Sequence, residues 1–193
     1  MKQLFVLSLC LMGFFLSAEA QERLFSVRFI QDGQKVPLAE NNTVNLKKKP
    51  FQIQLSHILD EGVLIGATFD KDLYRSAMGD ADLEVMWFSN TGMADDMFND
   101  DKSLMMSDEA PSYWFYTSKE QHRFDHDPKE SNGRYLGTRT IENLALLDPY
   151  RMVPIKNVKK NLYLVFYESS YDAEEDEIQT VTNPLGFQIV WVP

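Results

Sequence analysis

The sequence predicts a mostly β fold, an antiparallel β-sandwich of the Ig-like or jelly-roll-like kind with one or two short helices in its connections. Three observations predict it. Apolar and polar residues alternate with period two in several short runs, the pattern of strands with one buried face. Turn residues punctuate those runs. No regular alternation of strand and helix patterns occurs, which argues against a parallel α/β sheet.

The first alternating run sets Phe25, Val27 and Phe29 against Ser26 and Arg28, and the Asp32-Gly33 turn follows it. Thr43 to Leu46 is a shorter strand. Lys47-Lys48-Lys49-Pro50 separates it from Phe51, Ile53 and Leu55, which alternate with Gln52 and Gln54. Pro50 has no N–H for a ladder, so it belongs at a strand start or edge. Val63 to Phe69 reads as an apolar strand. Asp70 to Ala77 then reads as a short helix, with Asp70 as N-cap and Gly79 past its end. Leu83 to Phe88 and Tyr113 to Thr117 are strands on aromatic and β-branched content. Arg134 to Ile141 follows the Asn132-Gly133 turn. Ile141 to Leu147 is ambiguous, since a helical stripe fits it but the run is short for a helix.

The end of the chain carries the clearest pattern. Asn161 to Tyr167 is apolar or aromatic on both faces, as a central strand requires. Phe187 to Val192 is its expected antiparallel partner, across a long acidic connection that includes Asp172 to Glu177. Two segments break the strand pattern: Ser89 to Pro111, rich in Met and Asp, and Lys119 to Gly133, polar with two histidines. Long aperiodic stretches in a compact domain are often functional.

The first twenty residues read as a cleaved signal peptide. Lys2 precedes an apolar run from Leu4 to Leu16, and Ala18-Glu19-Ala20 follows as a small-x-small exit. The run is too short for a membrane-spanning helix, which needs about 20 residues. Cys10 lies inside it behind Leu9, the wrong neighbour for a lipid-modified cysteine, so no stable membrane anchor is expected. The expected mature chain, residues 21–193, is a single β-rich domain. It holds no cysteine, which excludes disulfides, thiolate metal sites and thiol catalysis. Its expected compartment is periplasmic or extracellular. Removing Lys2 and Glu19 leaves the net charge at −10, which disfavours nucleic acid and anionic lipid surfaces as partners.

Four groups of residues carry candidate chemistry. His122, Asp125, His126 and Asp127 could hold a divalent metal, because imidazole and carboxylate are its usual ligands; a solvated polar loop is the competing reading. The methionines at positions 78, 86, 93, 97, 105 and 106 add soft sulfur that suits copper, against the commoner role of gap-filling. The acidic clusters match no EF-hand loop. The fourth group is aromatic: Tyr113, Trp114, Phe115 and Tyr116 are consecutive, so a strand sends alternate rings to opposite faces. One pair then meets the core, and the other, with Trp87, can form a platform for a protein, peptide or carbohydrate ligand. No Gly-x-Ser-x-Gly elbow, phosphate loop or dinucleotide fingerprint occurs. The sequence therefore favours a non-enzymatic binding module with the aromatic residues as its contact surface. An extracytoplasmic metal-binding protein and a small secreted hydrolase are the alternatives.

Overall fold

The computed structural model describes residues 25–58, 62–79, 85–89, 102–115, 122–147, 149–172 and 177–193, with side chains omitted at 89, 113–115, 169–172 and 177–183. Most of the described residues lie in strands, and two sheets pack together as a β-sandwich with two short helices.

The first sheet has five strands. In spatial order they are β2 (Gln34–Lys35), β1 (Phe25–Gln31), β5 (Phe51–His57), β9 (Arg134–Ile141) and β8 (Lys129–Ser131), all antiparallel. The second has eight: β11 (Tyr150–Pro154), β10 (Asn143–Leu147), β7 (Ser103–Phe115), β6 (Gly62–Thr68), β12 (Leu162–Asp172), β13 (Glu177–Val192), β4 (Thr43–Lys47) and β3 (Leu38–Ala39). Two pairings in this sheet, β7 with β10 and β4 with β13, are parallel, a departure from the all-antiparallel expectation.

The period-two pattern decides which side chains meet. Phe25, Val27 and Phe29 of β1 and Phe51, Ile53 and Leu55 of β5 face inward. Opposite them lie Val63 and Ile65 of β6, Leu162, Leu164 and Phe166 of β12, and Phe187 and Ile189 of β13. Phe187 makes edge-on contacts with Phe29 across the sheets (5.0 Å) and with Phe166 beside it (5.8 Å). β12 is central, flanked by β6 and β13, which explains its apolar residues on both faces.

Its outer face is covered by α1 (Lys71–Ala77) and α2 (Met86–Ser89). Asp70 caps α1 by accepting the N–H groups of Asp72 and Leu73, and Gly79 follows at φ +85°. Two glycines let these elements approach the sheet. A Cβ at Gly66 would sit within 2.7 Å of three indole carbons of Trp87, and one at Gly186 would sit 2.6 Å from both Met78 Sδ and Tyr74 Oη.

Several expectations need correction. Met86 to Ser89 is a helical turn, not strand, because Trp87 leaves the backbone to fill the slot over Gly66. Ser103 to Pro111 belongs to β7, so the end of the Met-rich segment is strand, and Met105 and Met106 are buried in it; residues 90–101 lie outside the described residues. Pro111 is tolerated because the β6–β7 register shifts between Ile65 and Ala67, releasing it from the ladder. Pro184 lies in the matching shift between β12 and β13. The ambiguous stretch is strand β10, paired with β11, which the pattern did not suggest. The long acidic connection is mostly ladder, since β12 and β13 stay paired out to Asp172 and Glu177.

Candidate functional site

The His122 to Pro128 segment runs along β9 beyond the end of β8. The backbone N–H of Asp125 donates to Thr138 O (2.8 Å), and the Asp125 carboxylate accepts both the Thr140 N–H (2.9 Å) and the Thr140 hydroxyl (2.7 Å). Its carboxylate thus does the work of a neighbouring strand's carbonyl. Phe124 turns inward over Gly137, where a Cβ would lie within 2.5 Å of three ring carbons. Arg139, itself buried, ties this strap to the second sheet: Nη1 donates to Arg123 O (2.8 Å), while Nε and Nη2 donate to Ser103 O (3.2 and 2.8 Å).

These commitments decide how the predicted metal ligands stand. His122 Nδ1 accepts the Phe124 N–H (3.1 Å), which leaves its proton on Nε2, 3.2 Å from Asp127 Oδ1. Asp125 is engaged by Thr140, and His126 is exposed. Among the described residues, no three His, Cys, Asp or Glu side chains are placed to hold a metal ion. The motif reads physically as a strap that closes the side of the sandwich.

The aromatic candidates separate. Trp87 is fully buried. Its Nε1 donates to Ser107 O (2.8 Å) and its carbonyl accepts the Tyr167 hydroxyl (2.6 Å), so it is a core residue and not part of a platform. Tyr113, Trp114 and Phe115 form the end of β7, with Tyr113 paired to Leu64 and Phe115 to Val63. Their side chains, and Tyr116 altogether, lie outside the described residues.

His57 ends β5 on its inner face and is buried. Its ring stacks between Phe124 (6.3 Å) and Tyr135 (6.0 Å), and its Nδ1 donates to Ile58 O (2.7 Å). Burial pushes its pKa below the ordinary 6.5; the Ile58 bond opposes this shift, and the neighbouring Arg134 charge adds to it. The ring is therefore held neutral.

Close by, at the end of the sandwich where β1 and β9 begin, lies an open groove of about 440 Å³. Phe25, Val27 and Phe187 form its buried floor. Leu38, with 47% of its surface exposed, and Leu185 form an apolar rim. Ser26, Asn42 and Arg134 supply the polar groups. The rim depends on a tight turn, since Asn41 and Asn42 both adopt positive φ (+54° and +53°), a conformation that asparagine tolerates better than most residues. Asn42 is fixed by donating from Nδ2 to Gly186 O (3.1 Å), and Arg134 by donating from Nε to Ser56 Oγ (3.3 Å). Among the described residues of this lining, Arg134 is the one ionisable side chain.

The sequence reading assigned Phe25, Val27 and Phe187 to strands but missed the groove they floor. Leu38 belongs to the apolar stretch Val36-Pro37-Leu38-Ala39, which does not by itself announce a groove because the other walls come from distant strands. No family model, curated protein or solved structure matches the chain.

Proposed function

We propose that this protein is an exported, non-enzymatic binding module that takes a small ligand in the groove between β1 and β13. The observation that carries the reading is the groove itself. It is concave, floored by aromatic and aliphatic side chains, and edged by a few fixed polar groups, which is the usual make-up of a small-molecule site. Its volume falls within the ~300–1,000 Å³ common to such sites. The strand register puts the Tyr113–Phe115 segment near the same end of the sandwich. Leu185 at the groove pairs with Phe166, Phe166 with Ile65, and Ile65 with Ser112, the residue before Tyr113. That neighbourhood supports a shared ligand-facing end.

The N-terminal pattern supports export, with Gln21 as the first mature residue. Mass analysis of exported material tests this, and a mature mass that retains residues 1–20 would refute it. For the groove, the probe is Nile red, an uncharged apolar dye. It should bind the purified protein at one site, and Leu38→Asp, at the exposed rim, should abolish binding while leaving the urea midpoint close to wild type. Absence of binding, or binding indifferent to Leu38→Asp, would overturn the groove as ligand seat.

A further inference from the structure

We infer that the end of the sandwich opposite the groove is a docking surface for anionic lipid headgroups. The inference does not depend on the groove being a ligand seat.

Two segments close that end. Residues 48–50 cross from β4 in the second sheet to β5 in the first, and residues 155–161 return the chain from the edge strand β11 to the central strand β12. With Lys47, the last residue of β4, they carry six lysines, at 47, 48, 49, 156, 159 and 160, and no acidic residue. Burial decides where the lysines point. Ile155 and Val158 turn into the core, which leaves Lys156, Lys159 and Lys160 exposed, and Lys47 and Lys48 are exposed as well. The end of β13 ties the two segments together. Lys47 pairs with Val192 on one side of it, and on the other Trp191 Nε1 donates to Lys160 O (2.8 Å).

The acids near this end have partners of their own. Asp32 pairs with Lys49, and Glu142 with Lys102 (3.0 Å). Asp70 caps α1, and Asp72 faces Arg75 (3.5 Å). Among the described residues, Lys47, Lys48, Lys156, Lys159 and Lys160 form no ion pair.

The net charge of −10 alone disfavours an anionic surface, but the fold separates charge by position. Asp172 pairs with Glu177 at the other end of β12 from Leu162, an 11-residue strand, so roughly 30 Å away. The Debye length at physiological salt is about 8 Å. A surface approaching the lysines therefore meets their local charge and is screened from the acids at the far end. The chemistry also separates lipid from a linear polyanion. A phosphodiester chain is held by arginine forks and stacked aromatic rings. These segments carry no arginine, and Trp191 is packed edge-on against Phe51 (6.3 Å) with its N–H committed. They offer point charges on flexible stems, which suit a plane of many headgroups. Each lysine near such a plane strengthens binding about fivefold.

The test is co-sedimentation of the purified protein with vesicles of equal parts phosphatidylglycerol and phosphatidylcholine, and with vesicles of phosphatidylcholine alone. The protein should bind the mixed vesicles, ignore the zwitterionic ones, and be released at about 1 M salt, where the Debye length falls to about 3 Å. Lys159→Gln with Lys160→Gln should weaken binding roughly 25-fold, and Lys47→Gln with Lys48→Gln should do the same. The two pairs lie on separate segments, so one still reads should the other fail to fold. Lys129→Gln, at an exposed lysine of β8, should bind like wild type. Equal binding to both vesicle types, no binding to the mixed vesicles, or binding unmoved by both lysine pairs would overturn the proposal. Binding of duplex DNA or dextran sulfate in place of vesicles would overturn it in favour of a linear polyanion. Salt-sensitive dimers in place of vesicle binding would overturn it in favour of a second copy of the chain.

Discussion

Gly66→Ala is the sharpest perturbation of the packing. Gly66 faces α2, and an added methyl would lie within 2.7 Å of indole carbons Cδ2, Cε3 and Cζ3 of Trp87. Carbon atoms prefer about 3.5–4.0 Å, so the indole must retreat by roughly 1 Å. It has nowhere to go without loss, because Nε1 is bonded to Ser107 O at 2.8 Å and the Trp87 carbonyl accepts from Tyr167. Overpacking costs about 1–3 kcal/mol. Stretching the indole bond past hydrogen-bonding distance strands a buried donor, at about 1–3 kcal/mol more. Replacing glycine recovers ~0.4–1 kcal/mol through the unfolded chain. The expected net loss is about 2–4 kcal/mol, read as a lower urea midpoint at unchanged slope. Circular dichroism should follow the unfolding, since the partner variant Trp87→Phe removes a fluorophore. In the double variant the smaller ring relieves the clash, so the two losses should sum to less than their separate values. A Gly66→Ala loss below about 0.5 kcal/mol, or strict additivity with Trp87→Phe, would refute this packing argument.

Other outcomes follow from the same geometry. Leu164→Ala on the central strand should cost ~2–5 kcal/mol, and an unchanged denaturant midpoint would contradict its burial between the sheets. His57 makes stability fall in mild acid. Its folded pKa lies below 6.5, so as the pH drops through 6.5 the unfolded chain takes up a proton that the folded one refuses, and stability declines until the folded pKa is passed. Unfolding measured at pH 7.5 and 5.5 should show that decline, and His57→Phe, which keeps the stacking with Phe124 and Tyr135, should flatten it. Asp125→Ala should speed amide exchange at Thr140 and cost about 1 kcal/mol, whereas unchanged protection there would show that the strap does not need the carboxylate.

Much of the fold was legible because its signals are local. Alternation marked β1, β5 and the inner half of β12, and Asp70 with Gly79 marked both ends of α1. Asn132-Gly133 marked the turn into β9, where both residues adopt positive φ, but β8 before it lies in a stretch that reads as aperiodic. What escaped depends on distant partners. Met86 to Phe88 has strand-like composition, but the slot over Gly66 on β6 decides its conformation. Nothing within Ser103 to Pro111 announces that it will pair in parallel with β10, or that a register shift will release Pro111. The His122–Asp127 motif has engagements that its spacing does not announce. Its residues suit a metal, but Thr140 on β9 takes the Asp125 carboxylate and the Phe124 N–H takes His122 Nδ1. The groove was invisible for the same reason, since its floor and rim come from β1, β3, β9 and β13, far apart in the chain.

The central claim is that ligand binds at the end of the sandwich where β1 and β13 meet. Backbone amide chemical-shift mapping during a Nile red titration tests it most directly. The largest saturable shifts should fall on residues 25–27, 38–42, 134 and 185–187, with Leu38→Asp suppressing them. Shifts confined to residues 113–116, or scattered without saturation, would contradict it.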